Sequence, residues 1–421
     1  MAIQQDNEVT KMVDHLFRHE SGKMVAVLTR VFGFANIEQA EDIVQDTLIR
    51  ALETWKFGKV PDNPQAWLYR TAKNKAIDLI RREKVKHKIE SEIAPLLKSE
   101  YTLVPSMNEM FRENEIKDSQ LRMMFACCHP SIALESQLTL MLKTLCGLSI
   151  KEIGKAFLSG EDTIQKRLYR TKEKIREEHI SLDYPGADRM PVRLDTVLKA
   201  LYLLFNEGYN SSHPDKLIRD DLCEEAIRLA LLLTENPKTN LPQTNALLAL
   251  MCYQASRFGA RLDDKGCMVL LKDQDRTHWN KFLIERGNEY LTHAAEGNMI
   301  HEYHFEAAIA SIHANAKSYE GTNWKLILQL YNNLSNRTHN PMVAINRCIV
   351  LGEVEGYENA IDELKKIKGL NGNCYYNTSL GEMYLKSGNK TEAIQYFQNA
   401  LVLTSSNAEI ELIRRKITLC K

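Results

Sequence analysis

Two clusters of cationic and amide side chains carry the most informative chemistry in this 421-residue chain. The first lies between Trp67 and Lys88, where eight basic residues against two acidic ones give a net charge of +6. Arg70, Lys73, Asn74, Lys75, Arg81, Arg82, Lys84, Lys86 and Lys88 supply polar and positive groups, while Leu68, Ala72, Ala76, Leu79 and Ile80 recur at helical spacing. A helix divided in this way packs one side and offers cations to phosphates on the other. A solvated basic helix face has the same pattern. The second cluster runs from Thr163 to Arg176, with six basic residues and one acid for a net of +5. Thr163, Gln165, Lys166, Arg167, Arg170 and Lys172 are assigned to an exposed side, and Ile164, Leu168 and Ile175 to a buried one. Arginine and glutamine can read guanine and adenine edges with paired hydrogen bonds.

Other reactive groupings have simpler explanations. Cys127-Cys128-His129 has the residue types of a zinc site but no second ligand pair at the required spacing, and Pro130 follows directly. Buried thiols at a helix end account for it. His301 and His304 are three residues apart with no anchored third ligand, so a packed pair is expected. Asp273-Gln274-Asp275-Arg276 lacks an accompanying nucleophile or phosphate loop and is read as a capping and ion-pairing element. Phe205-Asn206-Glu207-Gly208-Tyr209 suits either a ligand pocket or an interface. No metal or other cofactor site and no catalytic set is expected.

The elements needed to position these groups are helices. Proline is sparse, at 11, glycine numbers 19, and apolar spacings of three and four predominate over alternation. The fold class is therefore all-α. Met12 to Phe32 reads as a first helix with Leu16, Val25, Leu28 and Phe32 as core candidates. Asn36 is a candidate cap for an acidic helix from Glu38 to about Lys56, in which Glu38, Glu41, Asp42, Asp46 and Glu53 surround Ile43, Val44, Leu48, Ile49 and Leu52. An acidic face suits a protein partner better than DNA. The stretch 91–119, with Pro105 and the polar run Arg112-Glu113-Asn114-Glu115, reads as a linker. Gln137 to Cys146 then forms a helix ended by Gly147. Ser149 and Glu152 have capping-box spacing for a short second helix with Ile150, Ile153 and Ala156 as its apolar face. Thr163 to Arg176 is the third, giving a helix-turn-helix order. Beyond Pro185-Gly186 the chain becomes Ala-rich and amphipathic. Near its end Gly381, Tyr384, Gly388, Ala393, Phe397 and Ala400 follow the small/large pattern of a tetratricopeptide unit, and Leu351, Ala360 and Leu364 partly repeat it.

The bulk composition agrees with several packed domains. Apolar content is 44%, and 55 basic residues balance 55 acidic ones, so the net charge of zero conceals the local asymmetry. Met1 to Val13 has no apolar run of the signal-peptide kind, and no stretch approaches the roughly 18–20 apolar residues of a membrane span. Nine scattered cysteines then suggest reduced thiols in a cytoplasmic protein.

Glu41-Asp42-Ile43-Val44-Gln45-Asp46-Thr47-Leu48-Ile49-Arg50-Ala51-Leu52 resembles the core-polymerase-binding helix of region two in bacterial sigma factors of the extracytoplasmic-function group. Trp67 to Arg82 resembles the promoter-melting and minus-ten-reading helix of the same region. Leu148 to Arg176 resembles region four, which reads the minus-thirty-five element. Leu201 to Tyr209, Leu222 to Leu229, Asp273 to Arg276, Asn340-Pro341 and Asn346-Arg347 resemble the long C-terminal extension of one sigma subgroup, which ends in tetratricopeptide-like helices. The resemblance implies sigma region two over 8–90, a linker over 91–119, region four over 120–182 and a C-terminal helical domain over 188–421. It implies a non-enzymatic factor that binds core RNA polymerase and promoter DNA, with a protein or peptide partner for the C-terminal domain and no membrane association. Glu41, Asp42, Gln45 and Asp46 would face polymerase. Arg70 and Asn74 would contact an unstacked base, with Lys73, Lys75, Arg81 and Arg82 on phosphates. The minus-thirty-five set would be Thr163, Gln165, Lys166, Arg167, Arg170 and Lys172. Gly154 departs from the alanine usual in the family, which should weaken its helix by up to ~1 kcal/mol. The alternative is a helix-turn-helix regulator with a C-terminal sensor domain that never recruits polymerase.

Overall fold

Apolar residues spaced three and four apart give helices along most of the chain, as a computed structural model shows for residues 2–57, 60–83, 99–157, 159–210, 218–264, 266–297, 299–338 and 340–421. Among these the fold is all-α, and the β pairing present is an isolated bridge between Leu262 and Met268. The chain forms two compact units, Met1–Leu201 and Tyr202–Lys421.

In the N-terminal unit, α1 (Ala2–Phe32) is followed by a 3-10 turn (Phe34–Asn36), α2 (Ile37–Phe57) and α3 (Pro64–Glu83). Their core is built from Met24, Leu28 and Phe32 of α1, Ile37, Val44 and Trp55 of α2, and Leu68, Ala72 and Ile80 of α3. Asn36 does not act as a simple N-cap for α2. Its side-chain amide reaches back to the Phe32 carbonyl at 2.8 Å, tying the end of α1 to the turn.

The stretch expected to be a linker differs from that reading. Residues 91–98 lie outside the described residues, as do Lys84, Lys86 and Lys88. From Ser99 onward the chain forms α4 (Glu100–Met110) and α5 (Glu113–Cys127). Ser99 caps α4, and Leu103, Met107 and Met110 make a buried stripe despite Pro105. The polar run Arg112–Glu115 is a helix start, where Glu113 and Glu115 complement the positive end of the helix dipole. Helix α1 also packs on α5 and on α6 (Leu134–Thr144), α7 (Ile150–Ala156) packs on α6 and on α8 (Glu161–Glu177), and the 3-10 turn packs on α8. The expected capping box forms: Ser149 and Glu152 satisfy each other's backbone N–H groups. The unit extends to Leu201, within α9 (Met190–Tyr209), so residues 188–201 belong to it and not to the C-terminal unit.

The C-terminal unit contains α10 (Asp220–Thr234) and α11 (Pro242–Ala255), the latter buried on nearly every side. An irregular segment leads to α12 (Lys281–Ala294) and α13 (Glu302–Asn315). Helical hairpins come next: α14 (Trp324–Arg337), α15 (Pro341–Glu355), α16 (Tyr357–Lys365), α17 (Cys374–Lys386), α18 (Lys390–Leu403) and α19 (Asn407–Cys420). Asparagines cap α14, α15, α17 and α18, each accepting a backbone N–H of the first turn. At the candidate repeat, Gly381 lies against the Phe397 ring so closely that a Cβ would stand 2.6 Å from it. Ala393, Phe397 and Ala400 are buried beside it.

Candidate nucleic-acid interface

The basic helix α3 is held on its neighbours by an apolar and aromatic underside. Leu68, Ala72, Ala76, Ile77 and Ile80 are buried, and Trp67 meets Trp55 edge-on with ring centroids 5.5 Å apart. The Tyr69 hydroxyl donates to the buried Glu20 carboxylate, and burial together with that carboxylate pushes the phenol pKa well up, so the proton stays. The outer face bears Arg70 and Asn74, one turn apart, both exposed and without a side-chain partner among the described residues. Arg82 is exposed, and Arg81 lies 3.8 Å from Asp78. Lys73 and Lys75 are half-buried: Lys73 donates to Asn108, and Lys75 pairs with Asp46 at 3.1 Å. The six residues expected to meet DNA therefore divide into exposed Arg70, Asn74 and Arg82, an exposed Arg81 beside Asp78, and the engaged pair Lys73 and Lys75.

Helix α2 presents two faces. Ile37, Ala40, Val44, Thr47, Ala51 and Trp55 form the buried stripe. Asp42, Gln45 and Asp46 are exposed on the other side, as are Ile49 and Leu52, at 45% and 50% of their maximum. The sequence reading grouped those two with Ile43, Val44 and Leu48 as apolar residues surrounded by acids, without dividing them by face. A helical period counted back from Trp55 passes through Ala51 and Val44 and sets Ile49 off that stripe, but Leu52, three residues from Trp55, is not distinguished by it. Glu41 is half-buried and turned toward α8.

On α8, Ile164, Leu168, Thr171 and Ile175 are buried. Thr163, Gln165, Lys166 and Arg170 are exposed, together with Tyr169, at 58%, which the sequence reading did not select. Arg167 and Lys172 differ from the expected open position. Arg167 is held by Glu135 at 2.7 Å and Thr139 at 3.3 Å. Lys172 pairs with Glu41 at 2.6 Å and Glu38 at 3.8 Å, and Arg176 pairs with Glu38 and the Ala35 carbonyl. Long cationic side chains next to an acidic helix of the same unit fold onto it.

The other groupings serve packing. Cys127 and Cys128 are buried, bonded to Thr144 and facing Met141, and burial raises the Cys127 thiol pKa to about 12. His301 caps α13 and His304 returns the bond to the His301 N–H, with its other ring nitrogen at the Ala294 carbonyl. Asp275 caps the turn at Arg276–His278, but Arg276 pairs with backbone carbonyls instead of the neighbouring acids. Phe205 is buried and stacks on Tyr209. Among the described residues no three His, Cys, Asp or Glu side chains are grouped to hold a metal, and no helix is long and apolar enough to cross a membrane.

Residues 16–85 match the family Sigma-70 region 2, and residues 193–295 match a family of unknown function, DUF6596. An uncharacterized protein of Rhizobium meliloti (strain 1021) is 32% identical over 385 residues, covering 91% of this chain and 90% of that protein. The ECF RNA polymerase sigma factor SigE of Mycolicibacterium smegmatis (strain ATCC 700084 / mc(2)155) is 27% identical over 164 residues, 39% of this chain and 60% of that one. The ECF RNA polymerase sigma factor SigW of Bacillus subtilis (strain 168) is 25% identical over 156 residues, 37% of this chain and 82% of that one.

Proposed function

Because the chain belongs to the same family as the Rhizobium meliloti protein and carries a Sigma-70 region 2, we propose that it is a cytoplasmic sigma factor that directs core RNA polymerase to promoters. The observation that carries this reading is the divided surface of α3, packed below and bearing Arg70 and Asn74 above, inside the segment matched to region 2. Arg70 and Asn74 hold an unstacked base of the non-template strand, and Lys73, Lys75, Arg81 and Arg82 meet phosphates. Unstacking costs a few kcal/mol, which contacts to the displaced base offset. Asp42, Gln45 and Asp46 face polymerase, with Ile49 and Leu52 adding apolar area. In the helix-turn-helix of α6 to α8, Thr163, Gln165, Lys166 and Arg170 enter the major groove of the minus-thirty-five element, joined by Arg167 and Lys172 when their acidic partners let go. Glu41 turns to polymerase at the same step. The tetratricopeptide-like helices at the C-terminus serve regulation by a protein or peptide partner. No catalytic residue enters this scheme.

Run-off transcription with purified core polymerase on a library of upstream fragments tests the reading. Promoter-specific transcripts are expected with the intact chain, and Arg70→Ala with Asn74→Ala should reduce them at least roughly tenfold while leaving polymerase binding in place. Sequence-specific DNA binding without polymerase recruitment would replace the proposal with the one-component regulator.

A further inference from the structure

The segment between α11 and α12 gathers three arginines that ordinary ion pairing does not account for. Arg257 donates to the Tyr209 hydroxyl. Arg261, largely buried, donates to the Tyr209 carbonyl and lies with its guanidinium 3.8 Å from the centre of the Tyr209 ring. Arg276 stacks 4.5 Å over the Trp279 ring and donates to the carbonyls of His313 at 2.7 Å and Ala316 at 2.8 Å. Their partners are a phenol, aromatic faces and backbone carbonyls, with Glu320 acting on Arg276 from farther away. Buried charge normally requires a compensating charge. Polar atoms remain over as well: Arg276 Nη2, Trp279 Nε1 and His313 Nδ1 are buried without a hydrogen-bond partner among the described residues.

His313 belongs also to the wall of a cavity of about 320 Å3. Tyr319, Trp324, Tyr331, Tyr357 and Tyr375 give that cavity aromatic sides. Its two carboxylates are neutralised locally: Glu353 pairs with Lys386 at 2.6 Å, and Glu382 pairs with Lys416 at 2.7 Å. Lys272, exposed at the rim and without an ion-pair partner among the described residues, adds a positive charge. The arginine cluster adjoins the wall, since Arg276 donates to the His313 carbonyl at 2.7 Å, and burial, with Arg257 and Arg276 adding to it, lowers the His313 imidazole to about 4, neutral at ordinary pH. A pocket of this size with aromatic walls and a few polar groups suits a small organic ligand, and surplus positive potential selects an anionic one.

We propose that this cavity binds a small aromatic anion, a planar ring system bearing a carboxylate or phosphate group, its ring among the five aromatic side chains and its charge toward His313 and Lys272. Arg257, Arg261 and Arg276 lie within or beside the segment matched to the family of unknown function and supply the field that favours the anion. Binding requires neither polymerase nor DNA, so it stands or falls separately from the transcriptional reading.

Calorimetric titration of the full chain with 1-naphthoate, 1-naphthyl phosphate and neutral 1-naphthamide tests it. At least one of the two anions is expected to saturate a single site per chain, with the amide roughly tenfold weaker or worse. Whichever anion binds more tightly identifies the head group. Lys272→Glu, at an exposed position, should weaken the anion roughly tenfold and leave the amide unchanged. Ile349→Trp, which fills the cavity, should abolish binding, with circular dichroism confirming the fold. Failure of both anions to saturate, equal affinity for the amide, or indifference to Lys272→Glu would overturn the proposal.

Discussion

Gly154 shows how a single residue reverses sign between helix propensity and packing. A glycine inside a helix is about 1 kcal/mol less favourable than alanine, so propensity alone favours replacing it. In the fold, a Cβ at position 154 would stand 2.7 Å from the Ser159 carbonyl oxygen, a backbone atom of the turn between α7 and α8. The Ser159 N–H in turn donates to the Gly154 carbonyl at 2.8 Å. Alanine would push this turn away and shift α8 against α7. Gly154→Ala is therefore expected to destabilise the chain by about 1–3 kcal/mol, the range for overpacking, as read by urea unfolding. A variant as stable as the parent would show that the turn gives way without consequence. The glycine is visible in the sequence, but the atom that forbids a side chain is five residues away and appears only when the turn is formed. The same holds for Arg257, Arg261 and Arg276, which an irregular segment brings around Tyr209 and Trp279.

At the scale of elements, helix α2 carries two apolar stripes with different tasks. One, through Val44, Ala51 and Trp55, is buried; the other leaves Ile49 and Leu52 exposed beside Asp42, Gln45 and Asp46. Exposed large aliphatic side chains bordered by acids suit a partner surface. Ile49→Ser with Leu52→Ser should change stability by no more than about 0.5 kcal/mol per site, as surface substitutions do. Affinity for core polymerase should fall roughly tenfold or more if this face binds it. Fluorescence anisotropy with labelled chain and purified polymerase would measure the loss, and undiminished affinity at undiminished stability would remove α2 from the polymerase interface. The existence of α2 was legible from its periodicity, and the capping box of α7 from Ser149 and Glu152. The division of α2 into faces was not drawn, because residues three and four apart occur on both sides of the helix. Helix α4 and the part of α5 before the expected start of region four at 120 were missed for another reason. Pro105 and the run from Arg112 to Glu115 have the composition of a linker, and only burial of Leu103, Met107 and Met110 makes them helical structure.

For the molecule as a whole, equal numbers of acidic and basic residues mean that DNA bound as proposed would compete with the chain's own carboxylates. Within the N-terminal unit Lys75 pairs with Asp46, Arg167 with Glu135, Lys172 with Glu41 and Glu38, and Arg176 with Glu38. The more exposed of these, Lys75–Asp46 and Arg176–Glu38, contribute about 0–1 kcal/mol each, weak enough to exchange for phosphates, while the largely buried Lys172–Glu41 pair helps to hold α8 against α2. Polymerase binding at the acidic helix would remove part of that competition and release cations to DNA, coupling the two encounters. Glu38→Gln combined with Glu135→Gln changes two exposed acids outside the expected polymerase set, so folding and polymerase contact should persist. The polymerase-free variant is expected to bind duplex DNA roughly tenfold more tightly than the parent at low salt, the difference shrinking as ionic strength rises. Filter binding across a salt series reads both quantities. Equal affinities at low salt would mean that phosphates displace these carboxylates freely and that the ion pairs exert no restraint on DNA binding.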